Sequence, residues 1–315
     1  MKLFYYQRPD QEPNFGDELN GWLWTKLWTN LFNEDLFNED DSIAFVGMGT
    51  LLNNKLAERI APAQKVVVFS TGVGYEQPIK KIPPAWHISC LRGPLSAKRL
   101  GLPSDLAITD GGLLVAKLFK PSPKTFHQEI SVSSFMPHIH SATAAAASWQ
   151  RICQQANIRY IDPRWPIEEV LQAIGSSELL LAEAMHGAIA ADALRVPWIP
   201  VVTSPRIYAF KWQDWCASMN LPYSPYRLPS LAAYPRWGRG IRSGSVAARH
   251  WLKAGFEGTI ATIEYGLSGN EAAVVRLLMN IAVQAPFLSR NDVFEQRLEA
   301  LQACFSQLPK IRSFT

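Results

Sequence analysis

Apolar positions in the first 120 residues fall into short blocks separated by glycine turns and helix-length stretches, a spacing that predicts alternating strands and helices. Residues 3–6, 43–46 and 66–69 are apolar runs of strand length, and the last two run into Gly47-Met48-Gly49 and Thr71-Gly72-Val73-Gly74. Residues 16–31, rich in Trp and Leu with Asp17 in the first turn, predict a helix. Residues 91–100 start as a strand end and continue as a helix opening on Pro94, and residues 107–112 read as the close of another strand. Lys120-Pro121-Ser122-Pro123-Lys124 interrupts both periodicities and reads as a linker. Beyond it the alternation resumes with a strand over 130–138, an alanine-rich helix over 141–157, a strand over 158–161 and a helix over 167–174. The apolar run Leu179-Leu180-Leu181-Ala182 then leads through a turn carrying Glu183 and His186 into a second alanine-rich helix and the strand Trp198-Ile199-Pro200-Val201-Val202. Past about residue 235 the pattern is helical, over 243–254, 259–265, 270–285 and 291–307. The fold class expected is α/β: two Rossmann-like domains facing a cleft, residues 1–124 and 125–235, with a helical C-terminal extension over 236–315. A five-residue duplication, Leu31-Phe32-Asn33-Glu34-Asp35 followed by Leu36-Phe37-Asn38-Glu39-Asp40, predicts a lengthened loop.

Composition narrows the class. With 315 residues, 48% hydrophobic and 18% charged, the chain matches a globular protein of two-domain size and excludes a disordered one. The net charge of +4 is dispersed, so no nucleic-acid partner is expected. No apolar stretch approaches the roughly 18–20 residues a membrane span needs. Met1-Lys2-Leu3-Phe4 enters a strand without a signal-peptide pattern. Cys90, Cys153, Cys216 and Cys304 lie far apart with no CxxC, which signals neither a zinc site nor a disulfide framework. The expectation is a reduced, cytoplasmic protein with no metal. Among 11 tryptophans, most are expected in packing and some against sugar rings.

Candidate chemistry sits at the predicted strand ends. Helix N-termini at the edge of a parallel sheet hold anions, so the turn at Glu183 and His186, with Gly187 in the helix start, is the first candidate. Asn14-Phe15-Gly16-Asp17 opens a helix, where Asp17 either caps the N-terminus or takes a proton from a substrate hydroxyl. The Gly47–Gly49 and Gly72–Gly74 turns lack the GxGxxG spacing and read either as plain tight turns or as points of ligand approach. In Leu91-Arg92-Gly93-Pro94-Leu95-Ser96, Arg92 either grips a carboxylate or phosphate or sits in a structural salt bridge. Asp110 is a turn residue or a partner for that arginine. His138 is placed at the same edge from the second domain, and His140 reads as a packing residue. Arg206 and Lys211, among Tyr208, Phe210, Trp212 and Trp215, suit an anionic sugar or phosphate, or equally a buried aromatic cluster with extended cations.

Taken together, Asn14-Phe15-Gly16-Asp17, Leu91-Arg92-Gly93-Pro94-Leu95-Ser96-Ala97, Asp110, Phe135-Met136-Pro137-His138, Ile161-Asp162-Pro163, Glu183-Ala184-Met185-His186-Gly187-Ala188-Ile189, Asp192-Ala193-Leu194-Arg195-Val196-Pro197-Trp198 and Phe210-Lys211-Trp212 resemble the polysaccharide pyruvyl transferase family, in its succinoglycan-type ketal branch. The resemblance covers roughly residues 1–225, in order. It implies a GT-B-like fold and transfer of the pyruvyl unit of phosphoenolpyruvate onto two hydroxyls of a saccharide as a cyclic ketal, with no cofactor. It places His186, Asp17 and Glu183 in catalysis, with Arg92, Gly187, Ser96, His138, Arg206 and Lys211 on phosphoenolpyruvate. Asn14, Gly16, Gly49 and Gly72 fall on the acceptor side. Many members of the family carry Arg-Leu-His where this chain has Ala184-Met185-His186, so Arg92, or Arg206 and Lys211, must supply the missing charge. The implied acceptor is lipid-linked at the inner membrane face, which allows peripheral membrane association. Two other readings stand beside it: a GT-B glycosyltransferase using a nucleotide sugar, and a non-catalytic binding protein of a polysaccharide pathway.

Overall fold

Two parallel sheets organise the chain. The structure is a computed structural model, and it describes residues 1–32, 41–122, 132–203, 207–231 and 271–308. The first sheet contains β1 (Lys2–Phe4), β2 (Ile43–Val46), β3 (Lys65–Phe69) and β4 (Trp86–Cys90), in the order β1-β2-β3-β4 with every pairing parallel. α1 (Phe15–Phe32) and α2 (Leu56–Arg59) lie in the connections, and α3 (Pro94–Leu100) follows β4. β2 and residues 66–69 of β3 are continuous apolar runs because both faces are covered. Phe45, Val67 and Phe69 pack with Leu19, Leu23, Trp24 and Leu27 of α1, while Ala44, Val46, Val66 and Val68 pack with Leu52, Leu56, Ile60 and Ala97.

The second sheet contains β5 (Ser133–Met136), β6 (Arg159–Tyr160), β7 (Leu179–Ala182), β8 (Trp198–Val202) and β9 (Tyr226–Arg227), in the order β6-β5-β7-β8-β9, again all parallel. Its helices are α5 (Ile139–Gln155), α6 (Ile167–Gly175), α7 (Met185–Ala193) and α8 (Ala209–Ser218); a short α4 (Val115–Leu118) precedes the sheet. Strand order reverses between β5 and β7. In open α/β sheets the crevice beyond the strand ends at such a reversal is where ligands bind. The segment after β5 carries His138 and the segment after β7 carries His186.

α7 is buried on nearly every side. It packs against α1, α4 and the 3₁₀ turn Gly111–Leu114 of the first half, and against α6, β7 and β8 of the second. Its small residues, Gly187, Ala188, Ala190, Ala191 and Ala193, permit that crowding. The two later helices reach different cores. α9 (Glu271–Ala282) buries Val274, Leu278 and Ile281 against Phe135, Trp149 and Ile152, whereas α10 (Asn291–Ser306) buries Leu298, Leu301 and Phe305 in the first-sheet core beside Trp24 and Phe69.

Three details differ from the sequence expectation. Residues 107–112 form no strand: Asp110 accepts the Gly112 N–H at 2.9 Å and starts the 3₁₀ turn, leaving one bridge between Leu91 and Ala107. The aromatic segment around Lys211 is a helix, α8, which periodicity had not marked. β4 lies over Trp86–Cys90, upstream of the residues read as its end. Residues 33–40 of the duplication, 123–131, the expected helices 243–254 and 259–265, and Arg206 lie outside the described residues. No helix among the described residues is long and apolar enough to cross a membrane.

Candidate active site

Both halves contribute to a cavity of about 370 Å³. The first half supplies Tyr6, Arg8, Asn14, Gly16, Asp17, Gly49, Thr50, Arg59 and Tyr75, and the second His138, His140, Ala184, His186 and Lys211. The N-termini of α1, α5 and α7 all open onto it, so three positive dipole ends converge there. The α7 end is the least satisfied. Ala184, its N-cap, offers no side-chain acceptor, and the N–H groups of Met185, His186 and Gly187 have no acceptor among the described residues. Free backbone donors at a helix N-terminus form an anion-binding arrangement.

His186, one residue into α7, keeps 15% of its side chain exposed. Its side chain packs against Gly16, where an added Cβ would stand 2.2 Å from Nδ1. Gly16 is therefore required by the imidazole that packs over it. On the far side Nε2 is buried, 3.7 Å from Asp110 Oδ1. Asp17, half-buried, accepts from Asn14 Nδ2 at 2.7 Å, and desolvation raises its pKa against the opposing pull of that bond and of the charges on His186, Lys211 and Arg8. A carboxylate raised in this way is a stronger base than a free one.

The cations are arranged differently from the sequence expectation. Lys211 is buried, its Nζ 5.3 Å from the centroid of the Tyr75 ring, and it has no ion pair among the described residues. Arg8 and Arg59, which the sequence reading did not single out, both line the cavity; Arg8 forms an ion pair with Asp10. His138 caps α5: its Nδ1 accepts the His140 N–H at 3.3 Å, so a neutral ring carries its proton on Nε2. Burial, with Lys211, His140 and Arg8 nearby, holds its pKa well below the usual histidine range. His140, expected to be packing, also faces the cavity.

Arg92, Ser96, Glu183, Gly72 and Gly187 are not in the lining. Arg92 is fully buried, donating to Asp214 at 3.0 Å and to Gly49 O, Thr50 Oγ1 and Val73 O at 2.9 Å each. A guanidinium survives burial only when paired and hydrogen-bonded, and this one has spent its donors on protein. Ser96 Oγ donates to the same Asp214 carboxylate and accepts the Val73 N–H at 3.1 Å. Gly72 is a glycine for the same cause, since an added Cβ would meet Arg92 Nη2 at 2.5 Å. The structure thus corrects Arg92 and Ser96 from anion ligands to the support behind Gly49 and Thr50. Glu183 is likewise buried: Oε1 accepts from Thr203 N and Oγ1, and Oε2 from the His138 N–H at 3.0 Å, while desolvation raises its pKa. It holds the His138 loop in place and does not reach the cavity. Gly187 faces Met136, whose Sδ would be 2.7 Å from an added Cβ, and only its backbone belongs to the helix end. Among the described residues no group of three His, Cys, Asp or Glu side chains is arranged to hold a metal.

Comparison with known proteins bears on what such a cavity does. The polysaccharide pyruvyl transferase profile matches residues 4–205. Over 235 residues the chain is 40% identical to the succinoglycan biosynthesis protein ExoV of Rhizobium meliloti (strain 1021), an alignment covering 73% of this chain and 68% of that protein. The matched span includes β2 to β8 and all three helix N-termini at the cavity. The chain belongs to the polysaccharide pyruvyl transferase family and is an enzyme, a pyruvyltransferase.

Proposed function

We propose that the enzyme transfers the pyruvyl group of phosphoenolpyruvate onto two hydroxyls of a saccharide as a cyclic ketal, during exopolysaccharide biosynthesis. The observation that carries this reading is the pairing of a helix N-terminus with free N–H groups and a buried Lys211, which has no ion pair among the described residues, with an acid–base pair, His186 and Asp17, in one cavity. Phosphoenolpyruvate carries a carboxylate and a phosphate, which match the α7 N–H groups and Lys211, with Arg8 on the same wall. Protonated His186 gives its proton to C3, generating positive character at C2. Asp17 takes the proton of the attacking hydroxyl as its oxygen bonds to C2. The C2–O bond to phosphate then breaks, and the second hydroxyl closes the ketal while its proton leaves with inorganic phosphate. One hydroxyl proton thus offsets the one delivered to C3, and the reaction needs no cofactor.

The acceptor side of the cavity is read as Asn14, Gly49, Tyr6, Tyr75 and Arg59. Tyr6 and Tyr75 are 42% and 43% exposed, as a sugar-stacking surface requires. We read the two sheets as the two domains of a GT-B-like enzyme that works in the cytoplasm on a lipid-linked saccharide at the inner membrane face.

Incubation with phosphoenolpyruvate and a panel of lipid-linked and free oligosaccharides, followed by phosphate release and by the ketal methyl signal in NMR, tests the reading. His186→Ala is expected to lower turnover by about 10²–10⁴-fold with the melting temperature preserved. Release of nucleoside diphosphate from nucleotide sugars, with none of phosphate from phosphoenolpyruvate, would overturn it.

A further inference from the structure

Asp110 has no role in the chemistry above, yet its surroundings are unusual. It is fully buried, its Oδ1 accepts the Gly112 N–H, and its Oδ2 has no hydrogen-bond partner among the described residues. Arg92, the partner the sequence offered for it, is committed to Asp214. The group that does face Asp110 is the His186 imidazole, whose Nε2 is itself buried without a hydrogen bond among the described residues, 3.7 Å from Oδ1. A buried carboxylate with one unsatisfied oxygen and a buried ring nitrogen with no hydrogen bond compensate one another only if the nitrogen carries a proton.

We infer that Asp110 is the positioning residue for His186, holding the proton on Nε2 and leaving Nδ1, on the Gly16 side, as the nitrogen that exchanges protons with substrate. The inference deepens the reading of His186 as the acid and rests on it for its catalytic consequence. Asp110 acts on the ring and not on the substrate. It stabilises the imidazolium before the proton passes from Nδ1, and it fixes the neutral tautomer afterwards. The charged and titratable groups around the cavity are Asp17 from α1, Arg8 and Tyr6 from the segment after β1, Arg59 from α2, Tyr75 and Glu76 from the segment after β3, His138 and His140 from the start of α5, and Lys211 from α8; Asp110 faces the ring from the buried side. The two residues come from opposite halves of the molecule, so their contact also fixes α7 against the 3₁₀ turn.

Asp110→Asn isolates the effect, because the side-chain oxygen of Asn can still accept the Gly112 N–H while the negative charge facing Nε2 is lost. In protein labelled with ¹⁵N-histidine, His186 of the wild type is expected to show the Nε2–H tautomer when neutral. In Asp110→Asn the negative charge beside the ring is gone, and the titration midpoint should fall by about one pH unit or more. Turnover with phosphoenolpyruvate should fall by about 10²-fold or more, with KM for phosphoenolpyruvate within about threefold, and the alkaline limb of the rate profile should move to lower pH with the midpoint. An unchanged midpoint in folded Asp110→Asn would overturn the inference, as would an Nδ1–H tautomer in the wild type, which needs no variant to observe. A shifted midpoint with full activity in His186→Ala would instead overturn the reading of His186 as the acid and leave the dyad standing.

Discussion

Single side chains at the cavity show how burial assigns roles that residue type leaves open. Histidine, arginine and carboxylate all suit an anionic substrate, but only groups with unspent donors or acceptors can serve one. Arg92 has spent its donors on Asp214, Gly49, Thr50 and Val73; Lys211 has an aromatic face beside it and no carboxylate among the described residues. His138 gives a test in pH. Its folded pKa lies below the unfolded value near 6.5. Between the two values the unfolded chain binds a proton that the folded chain does not, so stability held above about pH 6.5 is lost as pH falls toward the folded value. Melting curves of the wild type should therefore decline from about pH 7 to about pH 5, and His138→Gln should flatten part of that slope. An identical slope in the variant would show that His138 does not carry the dependence.

Among the elements, α8 links the two halves at the cavity. It packs against α3 and holds Lys211 in its first turn and Asp214 one turn on. The Asp214 carboxylate receives Arg92 Nε, the Ser96 N–H at 2.9 Å and Ser96 Oγ, which ties α8 to the start of α3. Removing it leaves a guanidinium buried without a counter-ion, and Asp214→Ala should cost about 3–5 kcal/mol in chemical denaturation. The same variant should raise KM for phosphoenolpyruvate more than it lowers the rate of chemistry, because it loosens the helix that presents Lys211. A destabilised protein with unaltered KM would separate the pair from substrate binding.

For the molecule as a whole, the C-terminal helices decide how the chain closes. α10 places Phe305 into the first-sheet core, with its ring centroid 5.7 Å from Trp24 and 5.5 Å from Phe69, although α9 just before it packs on the second sheet. Phe305→Ala should cost about 3–5 kcal/mol by denaturant titration. A loss below about 1 kcal/mol would mean that α10 is dispensable to the first-half core. Asp192 helps to set the path between the helices, accepting Trp198 Nε1 at 3.1 Å and the Ser289 N–H at 3.0 Å. Much of this scale was legible beforehand. Apolar runs marked β2, β3, β7 and β8, the first two ending in glycine turns, because a strand covered on both faces must be apolar throughout, and the alanine-rich stretch after His186 marked a helix meant for close packing. Asn14, Gly16, Asp17 and His186 were found because helix starts at strand ends are local patterns. Arg8, Arg59 and the inward turn of His140 were missed since no local pattern separates a cavity cation from a surface one. The exchange of Arg92 for Lys211 as the available charge, and the meeting of Asp110 with His186, depend on long-range contacts, Arg92–Asp214 at 122 positions apart and Asp110–His186 across the two halves. Local order in the chain follows from short-range periodicity and turn chemistry; which charges are neutralised inside and which are left facing substrate follows from long-range packing, where desolvation selects the pairs.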